Sequence, residues 1–294
     1  MVGRELKQFF QRSAHHRAIA ALVETSGEPP EEFDGTAEVM RERGPERVSP
    51  FLVPMMISDS APGMLAIRFG ARGPNMALAT ACASGNNAIG EALEMIRRGA
   101  ADAMIAGGSE AALVPVAMAG MNVMTALSTR NDDPETASRP FDKDRDGFLM
   151  GEGAGMVILE ELAHAQARGA TILGEVSGYG TTDDAHHISA PAENGAGAAI
   201  AMKLAVENAN LSLSDIGYIN AHGTSTPLND KSETAAITAE PIAIPLVIAL
   251  VVFPTASRSS MTSRASGSCE PIATTTASSP TAPPSNSGSR AVVQ

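Results

Sequence analysis

The stretch MALATACASGNNAIGEALEMIRRGAADAMIAGG, residues 76–108, decides the fold class. It begins with a short apolar run over 76–81, which predicts a strand, and continues with apolar residues at helical spacing over 88–98. Gly99 follows that helical pattern, as is usual just past the C-terminus of a helix. A second short apolar run, 103–106, ends at a pair of glycines. A helix between two short buried strands is the unit from which α/β folds are built.

The same alternation continues along the chain. Short apolar runs predict further strands, and amphipathic patterns predict further helices. The predicted strands are 155–159, 172–176 and 216–220, and the predicted helices are 160–168 and 198–208. The sequence therefore predicts an α/β fold.

Composition excludes several classes of function. Apolar residues make up 44% of the chain and charged residues 18%, which is enough for a packed core. The net charge of 21 − 33 = −12 argues against a nucleic-acid partner, which would require a basic face. The apolar run 242–253 is shorter than the roughly 20 residues that cross a bilayer, so no membrane partner is expected. The N-terminus shows no signal-peptide pattern, and two cysteines cannot form a disulfide framework, so we expect a cytoplasmic protein.

The character of the chain changes near residue 240. The first 240 residues carry 18 basic and 32 acidic side chains (18 − 32 = −14), whereas the last 54 carry 3 basic and 1 acidic (3 − 1 = +2). From residue 255 onward Ser, Thr, Ala and Pro dominate, and such a segment has little apolar surface to offset its ordering entropy. We therefore predict a domain over 1–240. Over 241–294 we predict an apolar run and then a tail that is disordered or foreign to the fold and adds almost nothing to stability.

Two side chains are candidates for nucleophilic chemistry. Cys82 lies where the predicted strand turns into the helix, and the helix N-terminus there would stabilise a thiolate. A small buried core cysteine is the alternative interpretation of this residue. His222 ends the apolar run before a loop rich in Gly and hydroxyl side chains, where α/β proteins place functional groups. A cysteine and a histidine that are distant in sequence, each at a strand end, form a candidate acyl-transfer pair.

Two stretches resemble metal sites, but their spacing is wrong. The Asp-rich stretch 142–146 begins like a calcium loop, yet Gly153 occupies the position of the last acidic ligand. His186 and His187 are adjacent, so in an extended strand they would point to opposite faces. We therefore expect no metal at either place.

Taken together, three motifs resemble those of the β-ketoacyl-acyl-carrier-protein synthases. They are TACASG at 80–85, RPFDKDRDGF at 139–148 with GEGAG at 151–155, and NAHGTSTP at 220–227. The stretch DAHHISAP at 184–191 is closest to the type II condensing enzyme of bacterial fatty acid synthesis. The resemblance runs from about Thr36 to Ile237.

The resemblance implies a thiolase-like fold, layered α/β/α/β/α, in a homodimer. It implies acyl transfer to the cysteine and then decarboxylative condensation with malonyl carried on acyl carrier protein. No cofactor is implied beyond the phosphopantetheine of the carrier. By motif match the site residues are Cys82 as nucleophile, His222 as the first of two catalytic histidines, Thr224 and Thr226 at the phosphopantetheine arm, and Asp230 and Glu233 as supporting acids.

Some family motifs have no counterpart in this sequence. No histidine follows His222 and no lysine follows Lys231, so the family's Lys-Ser-Met-Thr-Gly-His motif, with its second catalytic histidine, is absent. The Gly-Phe-Gly-Gly motif and the opening strand before Thr36 are absent too. We therefore expect a synthase that is truncated at the N-terminus, divergent or frameshifted after about residue 240, and impaired in activity.

Two other functions remain open at this point. One is a non-catalytic remnant or accessory subunit that binds acyl carrier protein or a full-length synthase. The other is a thiolase that uses coenzyme A. A thiolase would need a second, general-base cysteine, whereas Cys269 lies in the low-complexity tail.

Overall fold

The structure, a computed structural model, describes residues 18–25, 30–239, 252–253 and 289–294. Within these ranges one sheet contains β1 (Ala18–Thr25), β2 (Ala103–Glu110), β3 (Gly153–Glu161), β4 (Gly174–Val176), β5 (Val252–Phe253) and β6 (Ala291–Val293). The order across the sheet is β1-β2-β3-β6-β4-β5. β1 and β2 are parallel, and the other neighbouring pairs are antiparallel.

Helices lie on both faces of this sheet. In the described ranges they are α1 (Pro30–Arg43), α2 (Leu52–Met56), α3 (Ser60–Phe69), α4 (Ser84–Arg97), α5 (Pro115–Val123), α6 (Leu162–Ala167), α7 (Ala196–Asn208) and α8 (Pro227–Ala239). Side chains alternate along β2, so Met104 and Ala106 pack with α4, whereas Ala103 and Ile105 pack with α3. No helix among the described residues is long and apolar enough to cross a bilayer.

α4 packs directly on the sheet. A Cβ added to Gly85, in the first turn, would lie 3.6 Å from the backbone of Gly108 in β2, so the helix start rests on the strand. Gly99, with φ of 68°, follows the end of α4 as the sequence predicts. The side chains of α4 that fill the main core are Ala88, Ala92, Leu93, Met95 and Ile96.

A second core joins α7 and α8. Ala198 and Met202 of α7 pack with Ala236 of α8, and Ile216 and Ile219 cover them. This cluster packs against the C-terminal half of α8, and the predicted site residues lie near the start of the same helix.

Most of the predicted elements are present, although their limits differ. The predicted helices 88–98 and 198–208 and the strands 103–106, 155–159 and 172–176 correspond to α4, α7, β2, β3 and β4. The helix predicted over 160–168 is shorter, since α6 spans Leu162–Ala167.

Two of the predicted strands are wrong. They are the runs 76–81 and 216–220. Residues 77–80 of the first run and all of the second belong to no strand. A strand needs a neighbour to complete its backbone hydrogen bonds, and no described segment pairs with either run. An apolar run alone therefore overestimated the number of strands.

The last described residues correct the prediction for the tail. β6 lies between β3 and β4 and is antiparallel to both, and Ala291 and Val292 are completely buried. Composition averaged over 255–294 does not detect a strand of three residues. The disorder predicted for 254–288 falls outside the described residues, and the domain boundary near 240 stays a prediction.

Charged side chains hold both ends of β6. The Arg290 guanidinium forms an ion pair with Glu175 of β4. At the other end Arg168 binds both the Gln294 side chain and the carboxylate of Glu160, with Arg168 Nη2 at 2.7 Å from Glu160 Oε2. Glu160 is buried, so this carboxylate depends on its partners for compensation.

The substitution Val292→Asp tests whether β6 packs in the sheet. It places a carboxylate without a partner between β3 and β4, so we expect a loss of about 3 kcal/mol in the free energy of unfolding, measured by urea denaturation. The matched control is Val53→Asp, because Val53 is 63% exposed and lies near the start of α2, and there we expect a change within about 0.5 kcal/mol. Equal stability of the two variants would show that the tail has no place in the fold.

Candidate active site

Cys82 lies in the turn that leads into α4. Its side chain is exposed, which removes the alternative of a buried core cysteine. The turn is a 3₁₀ helix over Ala81–Ala83, and Ala81 has φ of 51°, a left-handed conformation that is uncommon for a residue with a Cβ. Ser84 fixes the turn, since its Oγ accepts the N–H of Thr80 at 2.7 Å and donates to the carbonyl of Ala81 at 2.8 Å. The thiol is therefore presented to solvent just before the N-terminus of α4.

Small residues surround the start of α4. Gly108 of β2, on which Gly85 rests, pairs with Gly155 of β3. A Cβ at Gly107 would lie 2.0 Å from the carbonyl oxygen of Gly155, so the two strands approach closely there. The start of α4, and with it the Cys82 turn, therefore lies close to the sheet.

His222 does not lie in a strand, and a carboxylate side chain binds its backbone N–H. The buried carboxylate of Glu233, in α8, accepts the N–H of His222 at 2.7 Å and the N–H of Gly223 at 2.9 Å. Burial lowers the pKa of His222 below its ordinary value of 6.5, and the negative charges of Glu233 and Asp230 oppose this shift to a smaller extent. The imidazole is therefore neutral at pH 7 and can donate one hydrogen bond and accept another.

Asp230 joins α8 to the RPFDKDRDGF stretch. It is buried, and its Oδ2 accepts the N–H of Phe141 at 2.7 Å and lies 3.3 Å from Nε of Arg145. Arg145 also donates to the carbonyl oxygens of Thr226 at 3.2 Å and Pro227 at 3.0 Å. The stretch is thereby fixed against the start of α8.

The two threonines of the NAHGTSTP motif lie side by side. Thr224 Oγ1 and Thr226 Oγ1 are 2.8 Å apart, and both residues are partly exposed. Ser225 between them is buried with φ of 65°, and its Oγ accepts the N–H of Arg139 at 3.0 Å. The two Thr hydroxyls thus form a small polar surface next to the histidine loop.

The Asp-rich stretch 142–146 holds loops together. Asp146 accepts the hydroxyl of Ser128 at 2.6 Å and the N–H of Thr129 at 3.0 Å, and these hydrogen bonds hold the pKa of Asp146 below its usual value. Asp142 Oδ1 accepts the N–H of Asp144 at 2.8 Å. In the part of the chain that the structure describes, no group of three or more His, Cys, Asp or Glu side chains is arranged to hold a metal ion.

The predicted site residues thus lie on two supports. Cys82 belongs to the first, at the start of α4. The second comprises the start of α8 and the loop before it, and it carries His222, Thr224, Thr226, Asp230 and Glu233. Backbone pairing of 126–128 with 147–148, and of Gly147 with Ser225, ties the second support to the segment that follows α5.

Sequence reasoning missed several residues that hold these supports. Arg145 and Ser225 lie inside the quoted motifs. Their hydrogen-bond partners are about 80 positions away, so no local sequence pattern identifies them. Ser84 could have been found as a local turn former, because Ser hydroxyls commonly bond backbone groups near helix starts.

Comparison with known families agrees with the motifs. A profile described as "Beta-ketoacyl synthase, N-terminal domain" matches residues 11–165, and one described as "Beta-ketoacyl synthase, C-terminal domain" matches residues 173–243. The match therefore begins well before Thr36, where the motif-based resemblance starts. A strand, β1, lies in this region, so the expectation that no strand precedes Thr36 is wrong.

Curated relatives and solved structures point the same way. The 3-oxoacyl-[acyl-carrier-protein] synthase 2 of Staphylococcus aureus is 54% identical over 207 residues, which are 70% of this chain and 51% of the relative. The enzyme of the same name from Synechocystis sp. is 56% identical over 199 residues, 68% of this chain and 48% of the relative. The chain thus spans about half the length of the curated relatives it matches.

The structural likenesses confirm the predicted α/β, thiolase-like fold class. A solved structure described as a type II PKS acyl-carrier protein in complex with its ketosynthase bound to the hexaketide matches with a TM-score of 0.70 and 34% identity, over 76% of this chain and 57% of that one. A β-ketoacyl synthase from Burkholderia phymatum matches with a TM-score of 0.69 and 33% identity, over 81% of this chain and 59% of that one.

The substitution Glu233→Gln tests the support of the histidine loop. A Gln side chain keeps one acceptor oxygen, so either the N–H of His222 or that of Gly223 loses its carboxylate partner. We expect a loss of about 1 to 3 kcal/mol in the free energy of unfolding, measured by urea denaturation. Glu207→Gln is the matched control, because the Glu207 side chain is 58% exposed, and its effect should stay within about 0.5 kcal/mol. If the two variants lose the same stability, the buried carboxylate does not support the loop.

The lowered pKa of His222 predicts a pH dependence of stability. Because the folded-state pKa lies below the unfolded value of 6.5, the unfolded chain binds more protons in the window just below pH 6.5. His222 therefore destabilises the fold as pH falls through that window, and this penalty is absent above it. His222→Gln should gain stability relative to the parent when urea denaturation is repeated at pH 5.5 instead of 7.5. His186→Gln, on an exposed loop, is the control, and a pH-independent difference for His222→Gln would contradict the prediction.

Proposed function

The chain belongs to the β-ketoacyl synthase family, and we propose that it acts as a 3-oxoacyl-acyl-carrier-protein synthase of fatty acid elongation. The exposed Cys82 in its strained turn before α4 is the observation that carries this proposal. The proposed chemistry uses thioesters on the phosphopantetheine of acyl carrier protein and requires no metal and no further cofactor.

The first half-reaction is acyl transfer. The Cys82 thiolate attacks the carbonyl carbon of the acyl thioester, a new C–S bond forms, and the pantetheine thiolate leaves and takes up a proton. The positive end of the α4 dipole would stabilise the oxyanion of the tetrahedral intermediate. Thr224 and Thr226 supply neighbouring hydroxyls for the pantetheine arm.

The second half-reaction is condensation. Malonyl thioester loses carbon dioxide, the resulting enolate attacks the Cys82 thioester, and the cysteine thiolate leaves as the β-ketoacyl product forms. A neutral His222 can donate a hydrogen bond to the enolate oxygen. The family's second histidine motif has no counterpart after His222 in this sequence, so we expect this step to be slowed, by about 10²- to 10⁴-fold for one acid–base group.

We propose acyl carrier protein as the partner, a homodimer as the assembly and the cytoplasm as the location. The solved complex of a ketosynthase with its carrier protein supports the first. Apolar side chains exposed on α3 and α5 support the second, because exposed apolar surface is often covered by a partner: Met64, Ile67, Val116, Met118 and Val123. The cysteine content of the sequence supports the third, because two cysteines suit a reducing compartment.

The two half-reactions can be tested separately. Incubation with acyl-loaded carrier protein should add the acyl mass to Cys82, detected by intact and peptide mass, and Cys82→Ala should abolish the adduct. Malonyl-loaded carrier protein should then give little β-ketoacyl product. Rapid condensation would show that a residue outside the family pattern replaces the second histidine. A folded chain that forms no thioester would overturn the proposal in favour of an accessory or remnant role.

A further inference from the structure

Tyr179 is connected to the Cys82 turn by a series of hydrogen bonds. The Tyr179 hydroxyl accepts from Nδ2 of Asn87 at 3.3 Å, and Oδ1 of Asn87 accepts from the hydroxyl of Thr80 at 3.2 Å. The backbone of Thr80 donates to Ser84 Oγ at 2.7 Å, and Ser84 donates to the carbonyl of Ala81 at 2.8 Å. The series thus ends on the residue before Cys82.

The ring of Tyr179 is fixed against α4. A Cβ added to Gly90 would lie 2.1 Å from Cδ2 of Tyr179, so the ring occupies the space that a side chain on α4 would need. The backbone N–H of Tyr179 donates to Oδ1 of Asn208 at 3.2 Å, at the end of α7.

The glycines on either side of Tyr179 fix its backbone against α7. A Cβ at Gly178 or at Gly180 would lie 2.2 Å from a backbone carbonyl oxygen of α7. The hydroxyl is therefore held at one place above α4.

The hydroxyl of Tyr179 has a defined direction. Burial, together with the charge of Glu91 and its hydrogen bond to the phenol, raises the pKa of Tyr179 to about 12. The phenol therefore stays protonated at neutral pH and donates to Glu91, which leaves its oxygen to accept from Asn87. With its NH₂ group engaged there, the Asn87 amide presents its oxygen to Thr80.

We propose that Tyr179 is a positioning residue for the nucleophile. Its hydroxyl orients the Asn87 amide, and through Thr80 and Ser84 it keeps Ala81 in the left-handed conformation that presents Cys82 at the start of α4. The role of Cys82 as acyl acceptor rests on the proposed function, whereas the positioning itself concerns the reactivity of the thiol.

Tyr179→Phe removes the hydroxyl and keeps the ring. The chain has two tyrosines, and Tyr218→Phe is the matched control because Tyr218 is 81% exposed. The readout is the rate constant for alkylation of Cys82 by iodoacetamide in the full chain between pH 6 and 10, followed by peptide mass. For Tyr179→Phe we expect a rate at pH 7 that is about two- to tenfold lower, as the loss of one hydrogen bond implies, together with a pH–rate midpoint shifted upward.

Two further measurements separate positioning from general stability. A purely structural role would lower the thermal midpoint and leave the pH–rate midpoint where it is. Asn87→Ala breaks the same series from α4 and should reproduce the effect, while the double variant should show no further loss. An unchanged profile in Tyr179→Phe and Asn87→Ala would overturn the proposal. Because no acyl group is used, this result is independent of whether the chain forms a thioester with carrier protein.

Discussion

The direct packing of α4 on β2 is the constraint on which the rest of the structure depends. Aromatic residues make up 3% of the chain, so small and aliphatic side chains fill the core. Gly85 rests on the backbone of Gly108, and Ala88 and Ala92 continue the contact along the helix. The helix therefore lies close to the strand, with a Cβ at Gly85 in van der Waals contact with backbone atoms of Gly108. The turn that carries Cys82 is held at the start of this helix by the two hydrogen bonds of Ser84.

The first support, at the start of α4, is stabilised by close packing. The second, at the start of α8 and the loop before it, is stabilised by buried charges and their hydrogen bonds. Asp230 and Glu233 are buried carboxylates, and burial of a charge is unfavourable unless hydrogen bonds compensate for it. Glu233 receives two backbone N–H groups, and Asp230 receives one together with a guanidinium. Loss of either set of partners would leave an uncompensated buried charge. We therefore expect the histidine loop, the Asp-rich stretch and α8 to unfold together. His222 is partly buried beside these carboxylates. Burial lowers its pKa, so the imidazole is neutral at pH 7.

The parts of the fold that could be predicted from the sequence are those with a local pattern. α4 has a clear helical period and a terminal glycine, and β2 is a short apolar run, so both follow from neighbouring residues. The run 216–220 is equally apolar but no described strand pairs with it, and pairing is a property of the whole sheet. β6 was missed for the opposite reason, since three residues become a strand only because β3 and β4 lie on either side. Likewise Tyr179 meets Asn87 across 92 positions, a contact that no local pattern contains.

Three residues near the site have strained backbone conformations, which hydrogen bonds from other residues stabilise. Ala81, Phe141 and Ser225 have φ values of 51°, 63° and 65°, and each such conformation costs about 1 to 2 kcal/mol for a residue with a Cβ. Each one is held by a hydrogen bond from a separate part of the structure or from the next helix turn. Ser84 binds the carbonyl of Ala81, Asp230 accepts the N–H of Phe141, and Ser225 Oγ accepts an N–H from 86 positions away. The local chain would relax from these conformations if it were alone, so the Cys82 turn depends on α4, and the histidine loop depends on α8 and the 139–148 stretch.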